Sequence, residues 1–128
     1  MVTAITEGVK VSVDASYQQE FSSPNQHHFV FTYKVSIENH SASTIQLLKR
    51  RWEISDAGEP LKIVEGEGVV GQQPILEPGG RHQYISGCNL RSGMGKMKGK
   101  YFMEKLIDGK QLVVTIPEFQ LISGIFDN

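Results

Sequence analysis

The chain has 128 residues, a mass of 14.3 kDa and 39% apolar residues, enough for a single domain over 1–128 with a buried core and too apolar for disorder. Thirteen Lys and Arg against fourteen Asp and Glu leave a formal charge of -1, which argues against a broad basic surface for gripping nucleic acid. The lone cysteine, Cys88, excludes an intrachain disulfide framework. The opening MVTAITEGVKVSVDAS carries neither a basic leader nor an apolar segment, and no apolar run approaches the ~18 residues of a membrane-spanning helix. The expectation is a cytoplasmic protein with no membrane association.

Residues 9–17 set Val9, Val11, Val13, Ala15 and Tyr17 against Lys10, Ser12, Asp14 and Ser16, the period of a half-buried strand. The polar stretch 18–28, with Ser22-Ser23-Pro24-Asn25, predicts a turn or excursion. Phe29, Phe31, Tyr33, Val35 and Ile37 then share one face of a second strand, which Asn39-His40-Ser41 ends. Over 44–55 the parity breaks: Ile45 and Leu47 fall on one face, Leu48, Arg50, Trp52 and Ile54 on the other. A β-bulge near Leu47 or Leu48 would restore a continuous apolar face, with Trp52 packed against an opposing sheet. Asp56-Ala57-Gly58 marks a turn, and Leu61, Ile63 and Glu65 a short strand before a glycine-punctuated loop.

After Pro78-Gly79, alternation predicts a strand over 81–86. Residues 87–100, GCNLRSGMGKMKGK, read as an ordered loop, because Gly93, Gly95 and Gly99 each oppose a helix by ~1 kcal/mol relative to alanine. Strand resumes over 99–107. Asp108-Gly109 signals a hairpin into 111–116, with Leu112, Val114 and Ile116 inward, and Pro117 ends that pairing or marks an edge. Phe119, Leu121, Ile122, Ile125 and Phe126 either cover the end of the core or join a partner chain, which would give a homodimer. Roughly seven to nine short strands with turns between them predict an all-β fold, an immunoglobulin-like or fibronectin type III-like β-sandwich rather than a closed barrel.

Gly66, Gly68 and Gly71 spell G-x-G-x-x-G. A dinucleotide fingerprint needs a helix after the turn, and Gln72-Gln73-Pro74 starts none; the Lys-Ser/Thr ending of a P-loop is missing too. Two readings stand. Backbone amides of a glycine-rich turn can form an anion nest, with Arg50, Arg51 and Arg81 supplying guanidinium contacts; or the glycines permit positive φ in a tightly packed connection. Glu65 and Glu67 could hold Mg²⁺ with waters or simply face solvent. His27, His28, His40 and His82 lack structural-zinc spacing, and His82 and Ser86 lie ~13 Å apart along a strand, too far for a nucleophile–base pair. Cys88 shares its parity with Tyr84, which favours a buried, inert thiol. Met94, Met97, Tyr101 and Met103 form either an exposed surface for a protein partner or part of the core.

Several strings resemble the ApaG family, also called CorD in some bacteria: Arg51-Trp52-Glu53-Ile54-Ser55-Asp56, then Val64-Glu65-Gly66-Glu67-Gly68-Val69-Val70-Gly71-Gln72-Gln73-Pro74, Leu76-Glu77-Pro78-Gly79, Tyr84-Ile85-Ser86-Gly87-Cys88 and Gly95-Lys96-Met97-Lys98-Gly99-Lys100-Tyr101-Phe102-Met103. Ser92-Gly93 stand where the family commonly has Thr-Pro. The resemblance implies a fibronectin type III-like sandwich. It also implies genetic links to cobalt resistance and magnesium efflux, and kinship with a module of eukaryotic F-box and polymerase-delta-interacting proteins where protein recognition is the expected role. Pyrophosphate or nucleotide binding would fall to Gly66, Gly68 and Gly71. The favoured reading is a non-enzymatic module that recognises an unidentified protein partner, with a phosphate- or pyrophosphate-sensing patch at the glycine loop. The alternatives are a Mg²⁺-dependent enzyme on a nucleotide or phosphorylated substrate, with Glu65, Glu67 or His82 as base, and a factor in cobalt resistance and magnesium efflux.

Overall fold

The computed structural model describes residues 1–124. Nine strands run in order: β1 Val2–Thr6, β2 Val9–Tyr17, β3 Phe29–Asn39, β4 Ile45–Asp56, β5 Lys62–Glu67, β6 Ile75–Leu76, β7 Arg81–Leu90, β8 Met94–Lys105 and β9 Gln111–Ile122. They form two antiparallel sheets, β1-β2-β3-β7 and β5-β4-β8-β9, with β6 following β5 along the outer edge of β4. Alternation explains the pairing of layers: Val9, Val11, Val13, Phe31, Tyr33, Val35 and Ile37 line the inner face of the first sheet. They meet Ile45, Leu47, Trp52, Met97, Tyr101, Met103, Val114 and Ile116 from the second. The expected all-β sandwich is the fold.

Two bulges keep the second sheet apolar inside. At Leu48 the β4–β8 register shifts, so the inward set passes from Ile45 and Leu47 to Arg50, Trp52 and Ile54, as the parity break predicts. In β9, Pro117 and Glu118 together face Lys98, so the inward set passes from Leu112, Val114 and Ile116 to Phe119 and Leu121. Pro117 therefore does not end the strand. It occupies a bulge on an edge, where its missing N–H costs no ladder bond. Trp52 meets the opposing sheet edge-on at Tyr33, with ring centroids 5.4 Å apart, and Phe119 at 5.9 Å.

One expectation is corrected, and two features are added. Residues 87–100 are not a loop: β7 runs on to Leu90 and β8 starts at Met94. Gly95 and Gly99 serve close approach: a Cβ on Gly95 would lie 2.3 Å from the Ser55 carbonyl, and one on Gly99 2.2 Å from the Arg51 carbonyl and 3.2 Å from the Trp52 ring. The expected short strand is β5; Leu61, just before it, and Ile63 within it face solvent, and Val64 is the residue that turns inward. The stretch before β2 forms β1, joined through Glu7 (φ 47°) and Gly8 (φ 81°), a two-residue turn with both φ positive. The contribution expected of Ile125 and Phe126 lies outside the described residues. Asn39, fully buried, ties the layers together: its Nδ2 donates to Ser43 O (2.8 Å) and Leu76 O (2.9 Å), and its Oδ1 accepts from the Ser41 amide and hydroxyl.

Candidate functional site

The glycine loop is a hairpin excursion between β5 and β6, anchored on the β4 bulge. Leu48 O accepts from the Gly68 amide and from Gln73 Nε2, each at 2.9 Å. Beyond that neck the Val69 and Gln72 backbones exchange bonds of 2.8 and 3.0 Å around Val70 (φ 48°) and Gly71 (φ 76°). Each glycine has its own reason. A Cβ on Gly68 (φ 62°) would sit 2.2 Å from Gln72 O, Gly71 serves the turn in open space, and a Cβ on Gly66 would meet both Nη atoms of Arg50 at 2.9 Å. Val69 is buried under the loop.

Arg50 shares the inward parity of Trp52 and Ile54, so its chain points between the sheets and lies across Gly66. Its Nη1 donates to Glu67 O (3.0 Å) and Gly68 O (2.8 Å), while Nε and Nη2 have no hydrogen-bond partner among the described residues. No carboxylate lies within ion-pair distance of it there either. Arg51, on the opposite face, pairs with Glu65 (3.3 Å) and Glu53 (3.9 Å). Arg81 opens β7 opposite Glu38 and is exposed. Of the three arginines expected around the glycines, the structure brings only Arg50 into hydrogen-bond contact with that loop.

The surface expected from Met94, Met97, Tyr101 and Met103 is also corrected. Met97, Tyr101 and Met103 are core, because they share the inward face of β8, while Lys96, Lys98 and Lys100 alternate outward. Met94 alone is exposed, at the rim of a 750 Å³ concavity with Pro24, His27 and Arg91.

The feature that patterning did not single out is a second cleft. β7 and β5 are the outer strands of the two sheets on one side of the sandwich, and between them opens a cleft of 530 Å³. Its floor is Trp52, Val64, Leu90 and Met97, and its charged groups are Arg50, Lys62 and Arg91 with Asp56 and Glu59. Deeper in, the Tyr84 and Tyr101 hydroxyls share a hydrogen bond. Burial raises both phenols and Tyr33, with the Arg50 charge opposing the rise. Burial likewise pushes the Cys88 thiol up to about 11, Lys62 opposing and Asp56 adding to it, so the thiol is protonated at neutral pH. Asp56 accepts from the Arg91 amide (2.7 Å) and from the Ser92 amide (3.1 Å) and hydroxyl (2.5 Å), holding the β7–β8 turn. Arg91 pairs with Glu59 at 3.0 Å. The available signal for the cleft was Arg50 itself, an arginine on the apolar parity of β4.

Among the described residues no three His, Cys, Asp or Glu side chains group as metal ligands, and no helix is long and apolar enough to cross a membrane.

A family model described as the ApaG domain matches residues 19–105. The chain is 44% identical to Protein ApaG of Brucella suis biovar 1, over 94% of this chain and 92% of that protein, and 43% identical to Protein ApaG of Brucella anthropi with the same coverage. In three dimensions it is similar to an ApaA protein from Bordetella pertussis, with TM-score 0.85, 41% identity and coverage of 89% of this chain and 92% of that one. The chain belongs to the ApaG family.

Proposed function

We propose that this protein is a non-enzymatic recognition module whose working surface for another protein is the cleft between β5 and β7. The observation that carries the reading is the construction of that cleft: two unpaired strand edges bracket an apolar floor with Arg50 and Lys62 at its wall. Its volume falls in the ~300–1,000 Å³ range of pockets that hold a ligand group, and open strand edges are a recurrent place for capturing an extended chain.

Site-specific photocrosslinking in cells tests this. Benzoylphenylalanine at Lys62 or Asn89, which are exposed and line the cleft, should yield a discrete adduct that reforms from purified components. The same group at Ile5 on β1 or Ile107 in the β8–β9 turn, also exposed but away from the cleft, should not. Equal adducts at all four positions, or none at any, would overturn the reading.

A second reading, phosphate or pyrophosphate sensing at Gly66–Gly71, is favoured by one observation. The Val70 and Gly71 amides have no hydrogen-bond partner among the described residues, and the unspent donors of Arg50 lie near the base of the same hairpin. Pyrophosphate with and without Mg²⁺ should then shift the Val70 and Gly71 amide resonances saturably; silence up to millimolar ligand removes the idea.

A further inference from the structure

The four outer strands of the two sheets are not equally protected. An unpaired edge invites another strand, and proteins blunt such edges by shortness, charge, proline or bulges. β1 has 5 residues. β5 has 6 and carries Lys62, Glu65 and Glu67. β9 carries the Pro117–Glu118 bulge, and its Thr115 amide donates to Thr6 Oγ1 at 3.1 Å. β7 has none of these. It runs 10 residues in unbroken register against β3, lacks proline and lysine, and has its only arginine at the first position.

The phase of the ladder shows which groups are bare. Asn39 N donates to Gly80 O at 2.9 Å, in register with the β3–β7 pairs, so the even-numbered residues of β7 exchange bonds with β3. The N–H and C=O groups of Gln83, Ile85, Gly87 and Asn89 point to the free edge, and none has a protein partner among the described residues. Side chains of a strand added there would alternate between solvent and the cleft. On the cleft side they would meet Arg50, a half-buried cation whose Nε and Nη2 are unspent and which has no carboxylate of its own. Arg51 and Arg91, by contrast, each have one. Lys62 adds a second positive charge at the mouth; of the carboxylates lining the same cleft, Asp56 is spent on the Arg91 and Ser92 donors and Glu59 on Arg91.

The geometry points to β7 as the acceptor of an added strand. The occupant is an extended segment of a partner protein that places an Asp or Glu side chain into the cleft against Arg50 and Lys62. Main-chain bonds to the odd-numbered residues of β7 give the pairing, and the carboxylate gives the selectivity. This rests on the recognition reading above and names its mode and chemistry.

The test titrates the ¹⁵N-labelled full chain with two pools of acetylated octapeptides, random except for a fixed Glu or a fixed Lys at the fourth position, and with inorganic phosphate alone. The Glu pool should bind roughly tenfold more tightly than the Lys pool, and more weakly as salt rises. It should slow hydrogen exchange at the Gln83, Ile85 and Gly87 amides. Lys62→Glu, at an exposed position, should erase most of the preference. Equal binding of the two pools, or cleft shifts without protection of β7, would overturn the strand-addition proposal and leave protein recognition standing. Phosphate reproducing the same shifts without protecting those amides would make the site a simple anion site, and overturn it too. No binding of either pool at the cleft would sink both readings.

Discussion

The two lateral sides of the sandwich treat the same structural problem differently. On one side β9 packs against β1 and β2, and the Thr6 hydroxyl oxygen takes up the Thr115 amide. A proline bulge interrupts the remaining edge. On the other side β7 and β5 face each other without joining, and Arg50 and the Tyr33 ring line the gap between them. Burial of apolar surface alone would close both sides.

The contrast can be broken most severely at Trp52, whose ring floors the cleft and touches both sheets. Trp52→Ala should cost ~3–5 kcal/mol in denaturant unfolding; a loss under ~1 kcal/mol would mean the open side bears little of the packing. Next in size is a pair within the hairpin. Gly68→Ala meets both a positive φ and the Gln72 carbonyl and should cost ~2–3 kcal/mol, whereas Gly71→Ala meets open space and should cost ~1 kcal/mol from φ alone. Equal losses would refute the assignment of separate roles. On the closed side, Thr6→Val removes one acceptor at an exposed bond and should cost ~0.5–1 kcal/mol, visible as a small drop in urea midpoint.

At neutral pH the phenols and the Cys88 thiol should have no pH effect at all. Their folded-state values lie above those of the unfolded chain, so above pH 9 the unfolded state releases protons that the folded state keeps. Stability should therefore fall with rising pH, first through the thiol between 9 and about 11 and then through the tyrosines. A flat thermal midpoint from pH 8 to about pH 11 would show that these groups are solvated.

Much of this architecture was legible because alternation is a strong signal where one face of a strand is buried. The Leu48 bulge could be read for the same reason, as a change of parity between Leu47 and Arg50. Where neither face is buried the signal fails: in β1, Ile5 faces water, so no apolar side marks the strand. Glycine misled in 87–100, where it looked like loop, although Gly95 and Gly99 are strand positions cleared for Ser55 and Arg51 carbonyls. In 66–71 the close-packing role was one of the two readings, and there one glycine makes room for a guanidinium and another for a carbonyl. The cleft was the least legible, because a gap between two non-adjacent strands is a property of closure, and its one local trace is Arg50 on the apolar parity of β4.

The two bulges that flank β8 have a kinetic side. Sliding a strand by one residue turns its apolar face to water and is corrected at once, but sliding by two keeps every side chain on its proper face and is the error a long ladder is prone to. β8 cannot make that error against either neighbour without moving a bulge out of place, because β4 kinks at Leu48 and β9 at Pro117–Glu118. With the flanking strands each keyed at a different height, the central strand of this sheet has one seat, and the chain can find its alignment before its core is fully dry.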